Sequence, residues 1–451
     1  MRKSVIRFAT ESTDRHRWGK EESLIVAQQL ETTLRTTTRE ELQKAVDSFC
    51  DWLNSSGGIS YDPYDILGTR YGRWARRIYY RKNPLGVVLT APLILMEIVA
   101  PQLRGLFVGK RRYPTADAQL ALAFLNLYEA RCASGKVDNG RSPMIYLDQA
   151  KQLASELLKQ SAQGYSGFCW GYPFDWQHVN GFMPNGTPHI TATPYCYEVF
   201  ARLFDVTGDR KYLEITRSVA SFVCNDLLDT PTGDGAAASS YTPYDQTKVV
   251  NASAYRAFVL FDAARRFDNE TYATKAQRNL RFVLDSQRSD GSWLYAVDNP
   301  PEAFVDNFHT CFVLKNLYKI NQHLDSAEVA GSVQRGYEFY LNNLINSDGD
   351  PRTYAVAPRM EIVRVEMYNF AEAITLGALL RDDIPESFRV ADEVAARLVR
   401  QFQLPNGHFV TRVYRGGFTH RVPYLRWPQS QLFLALTNLL VATEPGKEAV
   451  C

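Results

Sequence analysis

The 451-residue sequence lacks most of the short motifs that announce a chemistry. It contains neither GxGxxG nor GxxxxGKS/T, so no glycine-rich loop is set to cradle a nucleotide's phosphates. HExxH and a GxSxG elbow are absent and the seven histidines are scattered, which disfavours zinc and serine-hydrolase chemistry; no metal and no cofactor is expected. An excess of charge of one sign is missing too: 51 Lys and Arg face 49 Asp and Glu, so nothing global favours nucleic acid as a partner. The seven cysteines include no CxxC pair, and Cys196, Cys224 and Cys311 fall within helical apolar patterns, so all are expected to be reduced core residues. MRKSVIRFATESTDRHRWGK, at the start, has no apolar run of signal-peptide length, and a cytoplasmic location is expected.

What is present in quantity is apolar and aromatic residue, 45% and 12% of the chain, enough to bury a large core. Glycine-plus-aromatic elements recur at Gly58, Gly167, Gly235, Gly291, Gly349 and Gly407, the last four separated by 56, 58 and 58 residues. Each lies between two amphipathic patterns, the spacing of a repeat made of an outer helix, a turn-rich loop and an inner helix. Outer helices with a polar stripe are predicted over roughly 39–54, 145–160, 209–228, 270–286, 327–345 and 386–402. Inner helices, apolar nearly all round, are predicted over roughly 114–130, 188–206, 247–266, 304–322, 364–381 and 423–442. Six such units predict an all-α ring, an (α/α)6 toroid of six inner and six outer helices, over residues 39–445 after an N-terminal extension of 1–38. The loops that follow the outer helices then meet at one mouth, where a ligand site belongs.

The first unit carries an insertion, residues 69–112. Its middle, Pro84 to Pro101, is apolar with Glu97 its only charge, and basic residues flank it from Arg70 to Lys82 and from Arg104 to Arg112. Pro92 is expected to interrupt the run, which is at the short limit for spanning a bilayer. Bases on both sides favour an in-plane or shallow contact of 84–101 with anionic lipid at the inner membrane; a flap on the ring or a dimer contact is the alternative.

Chemistry is concentrated in a few places. The loop Gly164–Thr193 gathers Trp170, Tyr172, Asp175, Trp176, His178 and His189, a mixture of flat aromatic faces and polar groups that suits a sugar. Asp306 and His309 stand at i, i+3 where the fourth inner helix opens, on one face, as a carboxylate with an imidazole proton partner or as a plain helix cap. Asp117 opens the first inner helix in the same way. Arg364 and Glu366 precede the fifth inner helix, and Tyr424, Arg426, Trp427 and Gln429 open the sixth, with Arg426 able to pair bidentately with a substrate carboxylate or with an internal acid. Trp293, after Gly291, joins the substrate-binding candidates.

The stretches CWGYPFDWQ (169–177), GTPHITAT (186–193), 207–227, 290–310 and PYLRWPQSQLFLAL (423–436) resemble the (α/α)6-toroid proteins of bacterial exopolysaccharide and capsule clusters, and more distantly unsaturated glucuronyl hydrolases and N-acylglucosamine 2-epimerases. That resemblance implies a polysaccharide or oligosaccharide substrate in the ring mouth, a place near the polysaccharide synthesis machinery, and carboxylate acid–base chemistry of a glycoside hydrolase, lyase or epimerase. Two other readings compete. Gln287 to Trp293 matches the QxxxGxW repeat of triterpene cyclases, and Gln403 to Phe409 approaches it, though the DxDD acid motif is missing. A non-catalytic glycan-binding scaffold is the third.

Overall fold

The computed structural model describes residues 36–134, 142–178, 181–297, 303–357 and 361–443. The outer helices are α1 (Arg39–Ser56), α5 (Met144–Lys159), α7 (Arg210–Asn225), α9 (Glu270–Asp285), α11 (Ala327–Leu344) and α13 (Pro385–Arg397). The inner helices are α4 (Pro114–Ser134), α6 (Thr193–Thr207), α8 (Val250–Phe267), α10 (Asn307–Leu324), α12 (Met367–Leu380) and α14 (Ser430–Ala442). Each inner helix packs on the next, and α14 packs back on α4, so the twelve form the closed (α/α)6 ring.

Local chemistry sets the boundaries. Thr38 and Glu41 form a reciprocal capping box on α1, while Asp209, Asn269 and Ser326 accept from first-turn N–H groups of α7, α9 and α11. Gly208 closes α6 in the left-handed conformation, φ 67°, as the Thr207-Gly208-Asp209 sequence predicts. The inner helices begin about three to seven residues later than expected from α6 onward, because the residues ahead of them form the mouth loops.

The repeated glycines have a packing reason. A Cβ on Gly167, Gly291 or Gly407 would stand 1.7, 2.4 or 2.1 Å from the carbonyl oxygen of Ser218, Arg335 or Ser48, each on the following outer helix. At two of these sites a glutamine four residues earlier bridges the same contact: Gln287 donates to the Gly291 and Ser332 carbonyls, Gln403 to the Gly407 and Ala45 carbonyls. The QxxxGxW likeness is therefore a latch between successive units.

The insertion is a helical hairpin, α2 (Arg70–Tyr80) and α3 (Pro84–Val99), followed by a tight turn over Pro101–Leu106. Gly86 lets the two helices touch, since a Cβ there would lie 2.3 Å from the Tyr79 nitrogen. Pro92 does not interrupt α3, contrary to expectation: it sits within the helix on its exposed side. A second correction concerns cysteine. Cys50, Cys169, Cys196, Cys224 and Cys311 are buried and free, but Cys132 is disulfide-bonded. Among the described residues no helix is long and apolar enough to cross a membrane.

Candidate functional site

Every loop that follows an outer helix contributes to one cavity of about 890 Å³ in the ring mouth. Tyr64 comes from the loop after α1, Tyr172, Trp176 and His178 after α5, Tyr241 after α7, Tyr295 and Phe304 after α9, Tyr354 after α11, and Arg426 and Trp427 after α13. The hairpin closes one side with Arg76, Tyr79, Tyr80, Lys82 and Val87. A smaller recess of about 140 Å³ adjoins it, sharing His178, Tyr241 and Tyr295.

On the cavity wall, Asp306 caps α10 by accepting from the His309 N–H at 3.2 Å, and the same carboxylate holds His309 Nδ1 at 2.8 and 2.9 Å. Asp306 is 2% exposed, and His309 keeps about a fifth of its side chain open. A carboxylate only accepts, so Nδ1 is the donor of this pair and a neutral ring so held carries its lone pair on Nε2; the ring itself lines the cavity. Tyr295 and Phe308 fix the imidazole plane, their centroids 4.5 and 4.3 Å away.

Across the lining, Arg426 is clasped by Asp62, with Nη2 2.8 Å from Oδ1, and its guanidinium lies over the Tyr172 ring at 4.4 Å. Burial opposes the Arg426 charge, but Asp62, Tyr172 and Tyr64 together outweigh it and the pKa lies above the ordinary value. Nη1 reaches the Tyr172 hydroxyl at 3.4 Å, and burial raises the pKa of that phenol, so it stays protonated at neutral pH. His178 is pushed down to about 4 by burial and by the Arg76 cation, so it is neutral near pH 7. Trp427 stacks on Tyr368 at 3.9 Å, and its indole N–H donates to Glu366 at 3.2 Å.

The predicted residues thus divide. Tyr172, Trp176, His178, Asp306, His309, Arg426 and Trp427 converge on the cavity. The other two acids do not. Asp117 is 1% exposed beneath the mouth, bonded to Arg112 at 3.0 Å and Gln160 at 2.7 Å, with burial raising its pKa to about 6. Asp175 pairs with Arg73 of the hairpin and accepts from the Asn185 N–H at 2.9 Å. Among the described residues Asp306 is therefore the one carboxylate of the lining, and no two-carboxylate pair forms there.

Trp170 and Trp293 lie in the core, where each indole N–H donates to a carbonyl near the end of the preceding outer helix, Leu157 or Val283. Gln429 clasps the Phe409 backbone, Tyr424 donates to Glu97 at 2.9 Å, and His189 is buried behind Tyr172 with burial lowering its pKa to about 4. Glu366 is buried on Arg412 and positions Trp427, while Arg364 is exposed on a strand, Val363–Glu366.

Asp62, Tyr64, Tyr241 and Tyr295 were not singled out by sequence reasoning. A signal existed for three of them: Ser60-Tyr-Asp-Pro-Tyr-Asp65 and Ser240-Tyr-Thr-Pro-Tyr-Asp245 are copies of one turn, in which Asp65 and Asp245 accept from backbone N–H groups three or four residues earlier. Among the described residues no group of three or more His, Cys, Asp or Glu side chains is placed to hold a metal ion.

No protein-family model and no curated protein sequence matches this chain. Solved structures do match in shape. An unsaturated glucuronyl hydrolase specific for heparin aligns over 90% of this chain and 97% of its own, with TM-score 0.55 at 12% identity. A GH76 alpha-mannanase from Bacteroides thetaiotaomicron aligns over 84% and 98%, with TM-score 0.55 at 10% identity. A cellobiose 2-epimerase from Bacillus thermoamylovorans aligns over 73% and 87%, again with TM-score 0.55 at 10% identity. At these identities the likeness establishes the shared (α/α)6 ring and leaves the chemistry to be argued from the cavity.

Proposed function

We propose that this protein is a carbohydrate-processing enzyme that removes a proton alpha to the carboxylate of a uronate residue, leading to elimination or epimerisation. The observation that carries this reading is the Asp306–His309 pair, an imidazole held by a carboxylate on the wall of a cavity that has no second carboxylate among its described lining residues. Hydrolysis of the common kind uses two carboxylic groups flanking the bond, and no such pair lines the cavity among the described residues. The surrounding aromatic faces suit sugar rings, and saccharides are what the mannanase, glucuronyl hydrolase and cellobiose epimerase of the same ring shape are named for.

In this mechanism Nε2 of His309 takes the proton from the carbon beside the carboxylate, and the electron pair moves into the carboxyl group. Arg426, Arg76 and Lys82 are the cations among the described lining residues, and they offset the added charge. In elimination the pair returns to break the adjacent glycosidic C–O bond, and the Tyr172 hydroxyl supplies the proton to the departing oxygen. In epimerisation a proton returns from the opposite face instead. The setting we propose is the synthesis of an acidic bacterial exopolysaccharide, supported by the likeness of residues 169–177 and 305–310 to toroid proteins of such gene clusters.

The test is incubation with uronate-containing oligosaccharides in D2O. Deuterium at the alpha carbon, or ultraviolet absorbance from an unsaturated uronate, is expected, and His309→Ala should cut either signal by about 10²–10⁴. Products that gain one water across the glycosidic bond without exchange at carbon would overturn the reading, as would full activity in His309→Ala.

A further inference from the structure

The α2–α3 hairpin is built inside out. On α3 the positions turned to the protein are Gly86, Thr90 and Glu97, whereas Leu85, Val88, Pro92, Leu95 and Val99 form one stripe facing away. Val88 is 66% and Leu95 61% exposed, and the surface continues through Trp74, Leu106 and Phe107. Eleven of the 21 large exposed apolar side chains among the described residues fall between Tyr71 and Phe107. The stripe cannot roll inward, because Glu97 is held in the interior by Arg104, by the Tyr424 hydroxyl at 2.9 Å and by His420 at 3.1 Å.

Charge around this face is one-sided. Residues 66–112 hold ten Lys and Arg and a single acid, Glu97, which is buried. Arg70, Arg77, Arg81, Lys82 and Lys110 are exposed, and none has a carboxylate partner among the described residues. An apolar stripe flanked by unpaired cations matches the layered chemistry of an anionic bilayer, acyl chains beside phosphates. The 16 residues of α3 span about 24 Å, short of the hydrocarbon thickness, so the helix lies along the surface. Lys82, Pro84 and Val87 belong both to the hairpin tip and to the cavity lining, so the mouth opens next to this face.

We infer that the hairpin seats the cavity mouth on an anionic lipid surface, and that the saccharide entering it is one tethered to that membrane. The second half rests on the saccharide reading of the cavity; the first does not.

Flotation of the full chain with phosphatidylcholine vesicles, with and without about a third phosphatidylglycerol, separates the two halves. Binding to the anionic vesicles is expected, with at least a tenfold loss in Val88→Asp/Leu95→Asp and a comparable loss at high salt. That variant should keep the wild-type turnover of a short soluble oligosaccharide and lose preference for a lipid-linked one. Failure of the wild type to float, while His309-dependent turnover persists, overturns the docking and leaves the cavity reading standing. Flotation without any turnover leaves the docking standing and overturns the tethered saccharide. A wild-type dimer that Val88→Asp/Leu95→Asp converts to monomer, with no vesicle binding, assigns the face to a second copy and also overturns the proposal.

Discussion

Asp306 performs two jobs with one side chain, capping α10 at the His309 N–H and holding Nδ1 of the His309 ring. The two are separable by substitution. Asn is as good a cap as Asp but brings no negative charge to Nδ1, so Asp306→Asn should leave the melting temperature near the wild-type value while turnover falls as in His309→Ala; Asp306→Ala should lose both, the cap accounting for about 1 kcal/mol. His189 is the opposite case, a titratable ring with no route to substrate. It is 1% exposed, its ring edge meets Tyr172 at 4.2 Å, and burial depresses its pKa from 6.5 to about 4. Between those values the unfolded chain binds the extra proton and the native one does not, so this residue's contribution to stability is complete above pH 6.5 and is lost as the pH falls toward 4. His189→Gln should therefore flatten the acid limb of the stability curve by about 2 kcal/mol between pH 6.5 and 5, read from urea unfolding at the two pH values. An unchanged slope would show that the ring is hydrated in the native state.

At the level of elements, the helices were legible because their signals are periodic and local: a polar stripe every 3.6 residues, and caps such as Asn269 and Ser326 just before it. Asp306 and His309 were legible for the same reason, since i, i+3 at a helix start dictates contact. The aromatic residues were harder, because a tryptophan that stacks on a ligand and one that plugs a core are the same letter in the same kind of loop. Trp176 and Trp427 face the cavity, whereas Trp170 and Trp293 turn their indoles to the preceding outer helix. Depth is set by where the next unit packs, and that is not written within ten residues of the tryptophan. The latch makes a prediction that separates the roles. Trp293→Ala should cost about 3–5 kcal/mol of stability through the cavity it leaves, and Trp293→Phe about 1 kcal/mol through the lost bond to Val283, with KM unchanged in both. A raised KM at wild-type stability would return Trp293 to the binding site.

In the whole molecule the outcome of these local latches is a ring with no end units. An open solenoid frays from its terminal repeats, whose outer faces have no neighbour. Here the last unit finds the first: Gly407 lies against the Ser48 carbonyl, Gln403 donates to Ala45, Ser430 donates to Gln119 at 2.7 Å, and Asn126 bonds Asn438 at 2.6 Å. These contacts join residues some 300 to 360 positions apart, so closure is the most expensive step in chain entropy and the least visible in any window of sequence. The cavity depends on it, because Asp62 on the first unit clasps Arg426 on the last across the same seam. Gly407→Val tests the dependence: φ is +100° there and a Cβ meets the Ser48 oxygen at 2.1 Å, so the seam must part. The expected result is a loss of more than about 3 kcal/mol, with faster amide exchange in α1, α4 and α14 alike and weakened turnover although no cavity residue has changed. Exchange confined to α1 would mean that the units hold their places without closure, and the Asp62–Arg426 clasp would then owe nothing to the ring.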